Sequence, residues 1–497
     1  MSDGGLRVRG GVGGTTVGLA ALEEASGRLA GSAQDIAASL ARTLLVAADP
    51  GLAGVAPAVV TAAAAEGALA LAVGPAGLAG DAARLVGLVT ATAATVSAYR
   101  AVDAEVARTV ALTQDAVMFV VGSQAPELAV GVLALEALGV DVGGALDRAV
   151  WEVPAVADLA GGAEGLVAGL RSDPLTAPLL TPGAAADAEG PGGPRTYEDA
   201  LAVLADSAAV WGLLDDSGPV HMQREPAGPS GASAPRSLEE LVRGQGPLSD
   251  PADHPGRIRV VEVPTGTGPV WLVEVSGTQV WDPRTGANPC DVTTDVRAMA
   301  QESTALARGV QEALDQAQAE SRAGSDGAGS GGTGSGAAGP ASAGGPGRDA
   351  STEPVMLVGH SLGGIVAAGL ASSPAFTARH RVTHVVTAGS PVARMPVPAG
   401  VQVLSLEHHQ DPVPRLEGAP NPDRSGWVTA TRDLDDGRDG TGSEAHGVGE
   451  YAATAAAVDR STDPSLVAWR DGSEAFFHPA EGAQVVVRDY RIARGAP

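Results

Sequence analysis

Residues 15–45 place Leu19, Leu22, Leu29, Ile36 and Leu40 at intervals of three, four and seven. That spacing predicts one amphipathic helix, stopped by Asp49-Pro50-Gly51. An Ala-rich helix is predicted over 56–72, and Pro75 and Gly77 separate it from a longer one over 80–113. In the longer helix Leu85, Val89, Thr92, Val96, Tyr99, Val106 and Val110 follow one seam, with Asp103 on the same line. Further helices are expected at 126–150 and 160–171. Pro- and Gly-rich stretches at 181–194 and 225–236 flank one more, at 196–214.

The period changes at Arg257. RIRVVEV and PVWLVEV are strand-like runs around Pro264-Thr265-Gly266-Thr267-Gly268, a hairpin signal. A helix is expected from Thr294 to Glu320, and then a Gly/Ser tract begins at Gly324. Such a tract buries too little apolar surface to offset its ordering entropy, so it reads as a flexible insertion at about 322–350. Beyond it, strands at 355–359, 383–388 and 401–406 alternate with helices at 362–372 and 446–458. This alternation predicts an α/β fold with a mostly parallel sheet covered by helices. The chain has 497 residues, and one core rarely grows beyond roughly 250–300. Two domains are therefore expected: a mainly α-helical one at 1–180 and an α/β one at 257–497, joined by a linker at 181–256 with one or two short helices.

Charge and composition narrow the chemistry. The net charge of −26 disfavours nucleic acid and anionic membrane surfaces, whose binding rests on cationic side chains. All 32 cationic side chains are arginine. A Walker phosphate loop, a Schiff base and a Ser–Lys dyad are thereby excluded. Cys290 stands alone, which rules out an intrachain disulfide and a thiolate metal cluster. No signal-peptide pattern opens the chain. No run reaches the 18 or so consecutive apolar residues of a membrane span, AVMFVVG before Ser123 being the nearest. A soluble protein is expected, in the cytoplasm or exported without a cleaved signal.

The densest chemical signal is VMLVGHSLGGIVAAGL at 355–370, where an apolar strand meets a helix at Gly359-His360-Ser361-Leu362-Gly363. A sharp strand-to-helix turn strains its central residue and brings the positions two away into collision, so glycine is needed at 359 and 363. The turn presents the Ser361 hydroxyl at a helix N-terminus, where developing negative charge is favoured. Serine needs a base, and the base needs an orienting acid. With lysine absent, histidine is the base, and the order Ser, acid, His leaves His446 and His478. His446, in a polar loop opening onto a helix, is preferred; His478 reads as a turn histidine. For the acid, VQVLSLEHHQDPVPRL offers Glu407 and Asp411, the latter stiffened by Pro412 and Pro414. Asp433, Asp435, Asp436 and Asp439 are rivals in a solvated loop. His408 and His409 read as exposed loop histidines, since no further ligands stand at metal spacing. Oxyanion donors are expected at Leu362, after the nucleophile, and in Ser276-Gly277-Thr278, after an earlier strand.

VEVSGT, VGHSLGG, HVVTAGSPV and LEHHQDPVPRL, with a histidine opening a short helix, together resemble the class 3 lipase branch of α/β-hydrolases. The likeness runs from about Arg257 to Asp459. It implies Ser361 as nucleophile, His446 as base, Asp411 as orienting acid, and Thr278 with Leu362 as oxyanion donors. The activity implied is carboxylic ester hydrolysis with neither metal nor organic cofactor, on an acyl ester of the kind found in lipids and smaller esters. The helical half resembles actinobacterial proteins related to the WXG secretion family. Within that resemblance Tyr99-Arg-Ala-Val-Asp103 matches the Y-x-x-x-D/E export signal of type VII secretion substrates. The implied partners are a second helix or the secretion machinery.

Overall fold

The computed structural model describes residues 5–47, 58–73, 77–137, 141–180, 196–226, 234–252, 254–328, 352–434 and 440–495. The chain separates into two compact units, Thr15–Val110 and the remainder, Met1–Gly14 with Ala111–Pro497. This differs from a helical domain ending near 180, for two reasons. Leu6–Gly10 is a strand of the large sheet, paired with Trp427–Arg432. The helices after Ala111 pack with the sheet-bearing part of the chain.

The smaller unit holds α1 (Thr15–Ala47), α2 (Ala58–Val73) and most of α3 (Leu78–Ser123). Helices α1 and α3 adjoin where Ser26 Oγ donates to Val89 O (3.5 Å) and Arg100 pairs with Glu23 (2.7 Å). Val96 is buried there, but the seam opens at Tyr99, Val106 and Val110, which are exposed. Tyr99 and Asp103 stand exposed one turn apart on α3. By length and composition α3 could also cross a membrane. Thr, Ser and Gly interrupt its apolar run while leaving the average hydropathy high, so no unbroken apolar stretch marks it in the sequence.

In the larger unit follow α4 (Ala125–Ala137), α5 (Val142–Glu152), α6 (Ala163–Ser172), α7 (Tyr197–Ala209), α8 (Leu238–Leu248), α9 (Val292–Met299) and α10 (Ala305–Ala328). After the Gly/Ser tract, most of which lies outside the described residues, come α11 (Leu362–Ser372), α12 (Pro374–Thr377), α13 (Gly442–Ala445), α14 (Val448–Arg460) and α15 (Pro464–Ser473). The single helix expected at 294–320 is two, parted at Gln301, whose φ of 60° breaks the helical path. Gly162, Gly165 and Gly169 let α6 lie against the end of α3; a Cβ on Gly165 would sit 2.0 Å from Asp115 O.

Among the described residues nine strands form one sheet: β1 (Leu6–Gly10), β2 (Val220–Arg224), β3 (Arg257–Thr265), β4 (Gly268–Val275), β5 (Pro354–His360), β6 (Arg381–Ala388), β7 (Gln402–His408), β8 (Trp427–Arg432) and β9 (Val486–Arg494). Their order is β1-β8-β7-β6-β5-β4-β3-β9-β2. Strands β4 to β8 run parallel, while β1, β3, β9 and β2 pair antiparallel at the flanks. The segment read as a linker thus supplies β2, α7 and α8.

Alternation within each strand sends side chains to two cores. Val273, Val355, Leu357 and Val385 meet α10 and α11 on one face. Leu272, Met356, Val358 and Leu404 meet α8, α14 and α15 on the other. Burying each such side chain contributes about 1.5–3 kcal/mol, so the central strands cannot slip register. Because β5, β6 and β7 are parallel, their C-terminal ends at His360, Ala388 and His408 share one sheet edge. In open α/β sheets that edge is where ligands bind.

Candidate active site

Ser361 follows β5 and caps α11 with φ 55° and ψ −125°, a conformation that non-glycine residues rarely hold. Gly359 and Gly363 allow it. A Cβ on Gly359 would lie 2.0 Å from the carbonyl carbon of Gly363, and one on Gly363 would lie 2.1 Å from Val275 O. The Ser361 N–H donates to Ala388 O (2.9 Å), tying the turn to the end of β6. Leu362 opens α11, whose first amides have no acceptor within the helix.

His446 follows α13, which starts on a reciprocal cap: the Glu444 N–H donates to Thr441 Oγ1 and the Thr441 N–H to Glu444. The His446 ring lies against Gly389, where a Cβ would come within 3.0 Å of the imidazole. Gly389 itself has φ 62° and is the residue after Ala388, the acceptor of the Ser361 amide. His446 Nδ1 donates to Asp411 Oδ2 (2.7 Å), and Asp411 is fully buried. That bond fixes the neutral ring with its proton on Nδ1 and its lone pair on Nε2. Among the described residues Ser361 Oγ and His446 Nε2 carry no hydrogen bond. The structure therefore brings Asp411 to His446, and ties the Ser361 turn to Ala388, one residue before the glycine that the His446 ring lies against.

The loop after β4 approaches the same place. A Cβ on Gly277 would lie 3.5 Å from Ser361 Cβ. The Gly277 N–H donates to Ser249 Oγ (3.0 Å), and Thr278 Oγ1 donates to Asp295 (2.9 Å). Burial pushes the Asp295 carboxyl up to about 7. With the Thr278 hydroxyl engaged, its amide has no acceptor among the described residues. Cys290 touches Ser276 (3.1 Å), and burial pushes its thiol up to about 12, so it is no nucleophile.

Of the alternatives, His478 is exposed after α15 and Glu407 accepts from Asn421 Nδ2 (2.5 Å). Asp433 accepts from Gln410 Nε2 (2.6 Å), while Asp435, Asp436 and Asp439 lie outside the described residues. His408 corrects the expectation of an exposed loop histidine. It is the last residue of β7 and is buried, because the strand runs two residues further than its apolar pattern.

Three residues of this site escaped the sequence reading. His408 Nδ1 donates to Ala445 O (2.6 Å), and its Nε2 contacts Thr454 Oγ1 (2.7 Å). His360 Nε2 donates to His446 O (2.8 Å). Burial pushes the two imidazoles down, to about 4 and about 3, so both stay neutral donors to successive carbonyls of the base loop. Tyr451 Oη donates to Asp411 Oδ2 (2.5 Å), and its ring stacks on His408 with centroids 3.9 Å apart. The signal for Tyr451 was available: it stands five residues after His446, in the first turn of α14. Helices far away in sequence brace the same loops. Asp147 accepts from Ser443 (2.9 Å to N–H), Arg415 pairs with Asp158 (2.8 Å), and Gln114 donates to Gly418 O (3.1 Å).

No group of three or more His, Cys, Asp or Glu side chains is arranged to hold a metal ion among the described residues. The profile of the PGAP1-like alpha/beta domain family matches residues 347–434. That stretch spans β5 to β8 with Ser361 and Asp411, and it ends before His446. The match supports an α/β-hydrolase assignment and points to hydrolase chemistry in general. No curated protein and no solved structure matches the chain.

Proposed function

We propose that the protein is a serine-dependent carboxylic ester hydrolase working through Ser361, His446 and Asp411. The observation that carries this reading is the buried Asp411–His446 hydrogen bond, together with a serine held at positive φ on a strand-to-helix turn. In the first step His446 Nε2 takes the Ser361 proton as Oγ attacks the acyl carbonyl. The carbonyl π pair moves onto oxygen, and the Leu362 and Thr278 amides receive that anion beside the α11 N-terminus. Collapse expels the alcohol, which takes the proton from His446. Water then cleaves the acyl-enzyme by the same route.

A fluorophosphonate probe tests the reading. Labelling on Ser361 that disappears in Ser361→Ala supports it. Folded protein that resists labelling supports an idle hydrolase scaffold instead, a reading favoured by the unbonded Ser361 Oγ. For the smaller unit, Tyr99 and Asp103 are exposed on one face of α3 and are proposed as an export signal. Asp103→Ala should then retain the protein in cells, and unchanged secretion rules the signal out.

A further inference from the structure

Asp411 is fully buried and meets three donors. The Val413 N–H donates to Oδ1 (2.9 Å). Oδ2 receives two: His446 Nδ1–H at 2.7 Å and Tyr451 Oη–H at 2.5 Å. One carboxylate oxygen is thus shared between the base and a phenol that holds no other place in the proposed chemistry. We infer that Tyr451 is a positioning residue which sets the basicity of His446 by competing with it for Asp411 Oδ2. The inference rests on the proposed triad.

The physical reason is charge sharing. An imidazolium at 446 is stabilised by the negative charge on Oδ2. A second, short, charge-assisted bond draws that charge toward the phenol and away from the imidazole. The bond also points the carboxylate, because two donors at different angles leave it no free rotation. Tyr451 is held in turn by its stack on His408 and by burial. Burial and Asp411 raise its phenol well above the ordinary tyrosine value, so it remains a donor across the neutral pH range.

The other groups around this pair are few. His360, at the end of β5, faces the His446 ring with centroids 4.6 Å apart. His408 and Glu407 come from β7, Arg432 from β8, Glu450 from α14, Glu444 from α13 and Arg415 from the acid loop. Glu450 pairs with Arg432 (3.6 Å), and burial keeps His360 and His408 neutral. Burial pushes Glu407 up to about 7, so its titration overlaps any limb near neutrality. It is common to wild type and variant and cancels in their difference.

The test is the pH dependence of Ser361 labelling by a fluorophosphonate, with kcat and KM on a short-chain ester, in full-length wild type and Tyr451→Phe. Phenylalanine keeps the stack on His408 and removes only the hydroxyl. The acid limb is expected to move upward by about half a unit to one unit, the usual scale for losing one hydrogen bond to a coupled charge. KM should be unchanged, since buried Tyr451 does not touch substrate. Replacing the four tyrosines with 3-fluorotyrosine strengthens the donated bond without changing the fold, and should move the limb slightly downward. That measurement decides the matter if Tyr451→Phe does not fold. A limb that stays in place while rate or stability falls would make Tyr451 a packing residue and overturn the inference. Wild type that is folded yet never labels would overturn the triad itself, and this inference with it; the two failures are told apart by wild type alone.

Discussion

The two units use the same kind of apolar side chain in opposite ways. In the larger one, Leu272, Val273, Leu357, Val358 and Leu404 are almost completely buried between the sheet and its helices. In the smaller one Ala33, Ala72 and Val96 are buried, while Leu22, Leu69, Leu71, Leu88 and Val106 are exposed. Helical periodicity is present in both. Burial is not a property of the period but of whether another layer exists to cover it. A parallel sheet has two faces and recruits helices to each, whereas a helix with a single neighbour covers one stripe and leaves the rest in solvent. The candidate site lies in the unit whose cores are closed.

The sharpest test of that contrast is catalytic. Ser361→Ala and His446→Ala should each lower ester turnover at least about a thousandfold, as removal of a triad member does. His478→Ala, exposed and outside the site, should stay within about twofold of wild type, a neutral surface change. Inactive His478→Ala with active His446→Ala would move the base elsewhere.

Next comes packing. Leu357→Ala opens a cavity between β5 and the helices and should cost about 2–5 kcal/mol. Leu88→Ala on exposed α3 should stay within about 0.5 kcal/mol. All six tryptophans lie in the larger unit, so urea unfolding followed by fluorescence reads that unit, and circular dichroism reads both. Equal losses from the two substitutions would mean that the smaller unit's apolar face is covered in solution.

A smaller effect concerns the histidines that hold the base loop. His408→Gln should lower kcat about tenfold at constant KM, the scale of one misplaced catalytic group. A change in KM alone would mean that the loop is held by its other contacts.

The smallest is a pH dependence of stability. Burial raises the carboxyls of Glu274 and Glu417 from 4.5 to about 7. Folding therefore favours their protonated forms, and this contribution is complete below pH 4.5 and lost as pH rises through about 7. The melting midpoint should be higher at pH 5.5 than at pH 8, and Glu274→Gln should flatten the slope by about 2–4 °C. A variant with the wild-type slope would show that Glu274 is solvated in the folded state.

Much of the site could be read in the chain because its parts are local. Gly359, Ser361 and Gly363 fall within five residues, and a turn this tight leaves few solutions. The strands at 355–359, 383–388 and 401–406 were likewise marked by short apolar runs between breakers. His408 was misjudged because alternation ends at Leu406, and only pairing with β8 shows that the strand continues to Arg432's partner. The edge strands β1 and β2 were hidden for a related reason. LRVRG and VHMQR are five residues each and weakly apolar, and they become strands by pairing with β8 and β9 more than 250 residues away.

Local sterics and period therefore determined the elbow, the central strands and the separation of a helical stretch from an α/β stretch. Tertiary structure alone decided which helices join the sheet, and that His360 and His408 hold the loop of His446. It decided too that one phenol shares the oxygen of Asp411. Backbone strain and side-chain period act over a few residues and are written where they act. A hydrogen bond between the loop after β7 and α14 depends on α14 packing against one face of the sheet, and no short stretch of chain contains that condition.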